Sequence, residues 1–75
     1  MNAARPGLPA HGPLESAPGG FVPEWERSVI LTDVLGGVEL GAWDRRVVGW
    51  LAGLDTATAL TIASWIERSR ARGAR

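Results

Sequence analysis

Apolar residues recur at helical spacing in the second half of the chain. The residues at these positions are Trp43, Val47, Trp50 and Leu54. Their steps of four, three and four residues place the side chains on one face of a helix. The pattern predicts a helix over residues 41–53. Gly49 weakens this helix relative to Ala and would allow another helix to approach closely.

A second apolar series follows a residue that suits the start of a helix. Asp55 occupies the N-cap position and is expected to accept a hydrogen bond from the backbone N–H of Ala57 or Thr58. The apolar positions that follow are Ala59, Ile62, Ala63 and Ile66. They predict a helix over residues 56–72, which Gly73 ends. The two helices would form a tight helical hairpin, to which the preceding residues are an attachment.

The segment before the hairpin predicts a further helix over residues 23–35. Pro23 suits a first helical turn, and Glu24 and Glu26 lie near the positive end of the helix dipole. A pair of glycines then ends the helix. Residues 28–32 are rich in β-branched side chains, which favours a strand as the alternative. A single strand would have nothing to pair with, so the helix is the preferred interpretation.

Residues 1–22 are predicted to form a disordered arm. Four prolines and four glycines in this segment disfavour helix and sheet, and little apolar surface is available to offset the entropy of ordering. Phe21 and Val22 are the part of the arm expected to dock on the helices. A polyproline-type recognition segment is the alternative interpretation.

These elements predict a small all-α fold, with a three-helix unit over residues 23–75 behind the arm. A chain of 75 residues forms one domain at most and buries a modest core. It contains no Cys, so no disulfide or thiolate metal site can stabilise it. His11 is the single His and lies among prolines and glycines. No metal site and no cofactor are expected.

The predicted helices lack the residues that most catalytic sites use. Residues 23–75 contain no His, Cys or Lys that could activate a nucleophile. Asp44, beside Arg45 and Arg46, and Glu67, three residues before Arg70, are interpreted as members of weak surface ion pairs. The sequence therefore argues against an enzyme.

The apolar side chains exceed what three short helices can cover together. Such a surplus is typical of a surface that packs against a second protein. The predicted partner interface consists of Trp43, Trp50, Ile62, Trp65 and Ile66. We expect a homo-oligomer or a complex with another protein, in an accessory or regulatory role. A ligand pocket between the tryptophans is an alternative, but Trp at helical spacing is more often core or interface.

A DNA-binding regulator is the alternative function. The helix over residues 41–53, the short turn and the helix over residues 56–72 broadly resemble a helix-turn-helix, whose second helix enters the major groove. Arg68, Arg70 and Arg72 would then contact phosphates. The second helix has no Arg, Lys, Asn or Gln before Arg68, and the formal net charge is zero. Both features weigh against nucleic acid as the partner.

The chain has no stretch of about 18 consecutive apolar residues that could cross a membrane. Pro and Gly follow Arg5 where a secretory signal would have an apolar segment. A cytoplasmic protein is therefore expected. Gly36 and Gly37 also resemble a double-glycine leader, which would release residues 38–75 as a peptide.

The last 35 or so residues contain a pattern of short blocks. Residues 43–52 read W-D-x-R-x-x-x-W-L-A, residues 55–58 read D-x-x-T, and residues 63–68 read A-S-x-I-x-R. This pattern resembles small, uncharacterised open reading frames of actinobacterial and actinophage type. The resemblance implies one helical unit in a bacterial cytoplasm and implies no particular activity.

Overall fold

The computed structural model of the chain describes residues 8–9 and 12–73, with side chains up to residue 71. The chain forms three helices, which are α1 (Glu24–Val34), α2 (Ala42–Ala52) and α3 (Thr56–Gly73). No strand occurs in this part of the chain. The predicted all-α fold is confirmed, and each helix bound differs from the predicted one by at most one residue. The alternative of a strand is wrong, because its residues lie in α1.

α1 lies at the centre of the fold because it packs against both other helices. α2 and α3 are joined by only three residues, yet they have few contacts with each other. The core consists of Ile30, Leu31 and Val34 from α1, Val48 and Ala52 from α2, and Leu60 and Ala63 from α3. The hairpin is therefore not the unit to which the rest is attached. Each of its helices buries its apolar side chains by packing on α1.

The start of α3 is fixed by the predicted cap. The backbone N–H of Thr58 donates to Asp55 Oδ2 at 3.1 Å, and the Thr58 hydroxyl donates to Oδ1 at 2.8 Å. These two hydrogen bonds, first that of the hydroxyl and then that of the amide, lower the pKa of Asp55 below its ordinary value of 3.8. The expected N-cap is confirmed, and of its two candidate donors Thr58 is the one used.

Arg27 is a buried charge that joins the three helices. Its side chain is 8% exposed. Nε donates to the carbonyl of Ala52 at 2.7 Å, and Nη1 donates to the carbonyl of Val22 and to Thr56 Oγ1. No carboxylate of the described residues lies within ion-pair distance of this guanidinium. The carbonyl at the negative end of α2 and the two other oxygens compensate for its burial instead.

Residues 12–22 run along the helices without forming a helix or strand themselves. The Val22 N–H donates to Thr56 Oγ1 at 3.1 Å, beside the oxygens that hold the buried guanidinium. Farther along α3, Arg68 Nη1 donates to the carbonyl of Gly12 at 2.7 Å. This part of the segment therefore contacts the start and the second half of α3.

The predicted docking residues behave differently from each other. Val22 is half-buried and packs against the core, whereas Phe21 is 79% exposed. Docking at the end of the arm thus involves Val22 and not the Phe21 ring. Residues 1–7, 10 and 11, on which much of the prediction of disorder rests, lie outside the described residues.

Candidate functional site

All four tryptophans of the chain are exposed. The exposed fractions are 69% for Trp25, 69% for Trp43, 66% for Trp50 and 58% for Trp65. Trp is usually buried over most of its large apolar area, so exposed indoles on every helix are unusual. Each lies on the side of its helix that faces away from the core. On α2 and α3, the exposed apolar side chains group into two separate surfaces, one on each helix.

The first such surface is the outer side of α2, here called the α2 face. It consists of Trp43, Arg46, Val47 and Trp50, which line one shallow, open concavity. Val48 and Ala52 lie on the opposite side of the helix and are buried against α1. α2 is therefore apolar on two sides, and only one of them is covered.

The second surface is the outer side of α3, where Trp65 stands between two shallow hollows. Ile62 and Ile66 flank it, but both are half-buried and pack against the core. The five residues of the predicted interface thus lie on two separate helices that barely touch. The fold brings Trp43 and Trp50 together on one face, and the other three residues on another.

One of the two hollows, here called the α3 hollow, lies between the end of α1 and the second half of α3. It is lined by Val34, Gly36, Gly37, Val38, Trp65, Ile66, Ser69 and Arg70 and has a volume of about 450 Å³. Gly37 has a φ of +94°, a backbone conformation that glycine adopts at little cost. The two glycines contribute no side chains, which leaves the hollow open to solvent.

The predicted phosphate-binding arginines make contacts within the chain. Arg68 Nε donates to Ser64 Oγ at 3.1 Å, in addition to its bond to the Gly12 carbonyl. Arg70 Nη1 donates to the carbonyls of Asp33 and Val34 at 3.3 and 3.2 Å, at the C-terminal end of α1. The side chain of Arg72 lies outside the described residues. Arg68 and Arg70 therefore connect parts of the fold through hydrogen bonds within the chain.

The threonines at the start of α3 are also engaged within the chain. Thr56 is buried and bonded to Val22, and Thr58 is bonded to Asp55. The hydroxyl of Thr61 donates to the carbonyl of Ala57 at 2.8 Å. A recognition helix needs side chains that are free to reach base edges, and these hydroxyls already have partners.

The described residues contain no group of three or more His, Asp or Glu side chains placed to hold a metal ion. Over the same part of the chain, no helix is both long and apolar enough to cross a membrane. The concavity between Trp43 and Trp50 is shallow and open, unlike the enclosed clefts that bury small ligands.

The predicted interface omits Trp25 and Val38, although both side chains are exposed. Val38 is 57% exposed beside the α3 hollow. A signal for Trp25 exists in the sequence, because the spacing of Arg27, Ile30 and Val34 defines the buried side of α1 and Trp25 lies opposite. The buried side of α1 is difficult to recognise from the sequence because it includes Arg27, and a charged residue is ordinarily assigned to the surface.

Comparison of the chain with protein-family models, with curated proteins and with solved structures gives no match. The resemblance to actinobacterial and actinophage-type open reading frames stays a prediction.

Proposed function

We propose that this chain is a small cytoplasmic interaction protein with an accessory or regulatory role. It self-associates or docks on another protein through its exposed tryptophan surfaces. The observation that carries the proposal is the position of Trp43, Trp50 and Trp65 on sides of α2 and α3 that no other part of the described chain covers. Burying such side chains is the main source of free energy in protein association.

The area of the α2 face sets the expected strength of the contact. A Trp buries about 150–250 Å² when fully covered, so two indoles exposed over two thirds of their surface offer roughly 200–330 Å². A standard interface buries about 800 Å² on each partner. The two indoles supply less than half of that area, and the residues around them must supply the rest. A contact of modest affinity is expected unless a larger surface takes part.

The test is the solution mass of the full chain by light scattering over a concentration series. Self-association gives an average mass that rises above the 8.0 kDa of the monomer as the concentration increases. The α2 face is removed by Trp43→Ala together with Trp50→Ala. The outer side of α3 with Ile62, Trp65 and Ile66, here called the α3 face, is disrupted by Trp65→Ala. The variant that removes the contacting face should return the mass to 8.0 kDa. Ile62 is left unchanged, because it also packs against the core.

Phe21→Ala is the matched control, because Phe21 is exposed but belongs to neither face. It should leave the mass of the assembly unchanged. A mass of 8.0 kDa at every concentration would refute self-association and require a different protein as the partner. A mass that changes only when duplex DNA is added at low salt would contradict the proposal and favour the helix-turn-helix alternative.

A further inference from the structure

The two ends of α1 carry complementary chemistry. At its N-terminal end, Trp25 is 69% exposed and stands between Glu24 and Glu26. Neither carboxylate has a hydrogen bond or ion pair with another of the described residues. This end therefore presents an apolar side chain with a negative charge on each side.

The α3 hollow at the other end of α1 has the matching features. Trp65 and Val38 form apolar walls, and Val34 lies at its base. The hollow has a volume of about 450 Å³ and is open to solvent. Its apolar walls offer a surface against which an aromatic side chain of a partner can pack.

Arg70 gives the hollow its charge. Its Nη1 donates to two backbone carbonyls and forms an ion pair at 3.9 Å with Glu67, three residues earlier in α3. Nε and Nη2 have no hydrogen-bond partner in the described part of the chain. Together these two nitrogens form the planar fork that binds a carboxylate through two hydrogen bonds. The hollow thus fits an apolar side chain that has a carboxylate beside it.

We propose that the α3 hollow receives the Glu24–Trp25–Glu26 segment of a second copy of this chain. The inference rests on the proposed function and specifies the contact that self-association uses. The charge complementarity selects the occupant, because this segment combines an exposed indole with two carboxylates that have no partner among the described residues. It cannot reach the hollow of its own molecule, since α1 separates the two by about 16 Å for its 11 residues.

The contact joins two different surfaces, so two copies form a closed dimer when each inserts its segment into the hollow of the other, and a head-to-tail arrangement forms a larger ring or an open array. In both cases the average mass should rise to at least twice the monomer mass. It should fall as salt is added, because salt screens the attraction between Arg70 and the two carboxylates.

The test is an exchange of charges between full-length variants. One variant is Arg70→Glu, and the other combines Glu24→Arg with Glu26→Arg. Each variant alone has like charges on segment and hollow, so each should stay at 8.0 kDa at concentrations where the wild type associates. A mixture of the two restores opposite charges at every contact and should restore the higher mass. If neither the mixture nor any variant differs from the wild type, the inference is wrong.

Arg70 also holds the end of α1, so Arg70→Glu requires a second variant that leaves the fold intact. Trp25→Ala serves this purpose, and Trp43→Ala is its matched control because the two indoles are equally exposed. Trp25→Ala should abolish association, and Trp43→Ala should retain it. The reverse result would overturn this inference while supporting self-association through the α2 face. A wild type that stays at 8.0 kDa throughout would refute the second copy as the occupant.

Discussion

Gly49 offers a direct test of which sides of α2 are covered. It lies in the interior of α2 and is exposed, and its φ is negative, as in an ordinary helix. A Cβ built at this position has no heavy atom within 4 Å beyond its own helix backbone and chain neighbours. The expectation that Gly49 permits a close approach is therefore not met by any helix of the same chain. Gly49→Ala should stabilise the protein.

The magnitude follows from helix propensity, because no contact changes. Gly in a helix interior is about 0.8–1.0 kcal/mol less favourable than Ala. For a domain of this size, a gain of about 1 kcal/mol raises Tm by roughly 4–8 °C. The assay is urea unfolding at low protein concentration, monitored by circular dichroism. The slope of the free energy of unfolding against urea concentration should be the same for the variant and the wild type.

Gly37→Ala is the control, because Gly37 also has open space around its Cβ but has a φ of +94°. Its substitution should cost about 1–2 kcal/mol, since a side chain is strained in the left-handed region. A loss of stability for Gly49→Ala in dilute solution would refute the packing described here. If the same variant is more stable as a monomer but associates less at high concentration, Gly49 lies within the contact between copies.

Three further outcomes are expected. Arg27→Met should lower the free energy of unfolding by roughly 2–3 kcal/mol, because hydrogen bonds from a buried charged donor are lost; Arg45→Met, at an exposed position, should have little effect in the same urea titration. Because the pKa of Asp55 is lowered by Thr58, its contribution to stability is present above the ordinary value of 3.8 and is lost as the pH falls through the lower folded value. Asp55→Asn should therefore show a weaker loss of helix in an acid titration, and identical titrations would contradict the cap. In a dilute solution of the monomer, acrylamide should quench the fluorescence of all four tryptophans. A fraction of the fluorescence that resists quenching would show that some indoles are covered.

On α2, the local sequence pattern predicts which side chains share a face but not which face is buried. The spacing of Trp43, Val47 and Trp50 correctly predicts that these side chains share one face of a helix. It does not decide whether that face is inside or outside, because Val48 and Ala52 form a second apolar line on the same helix. The smaller pair is buried because small side chains let α2 approach α1 closely. The two indoles stay outside for the same reason.

The three helices follow from local features of the sequence. Their bounds depend on caps, glycines and helical spacing, which act over a few residues; the Asp55 cap is of this kind. The central position of α1 and the burial of Arg27 follow instead from the packing of the helices against each other. The oxygens that hold its guanidinium come from Val22, Ala52 and Thr56, the last two separated from it by 25 and 29 positions in the chain. A local pattern contains no information on such partners, because their carbonyl and hydroxyl groups converge only when the helices pack.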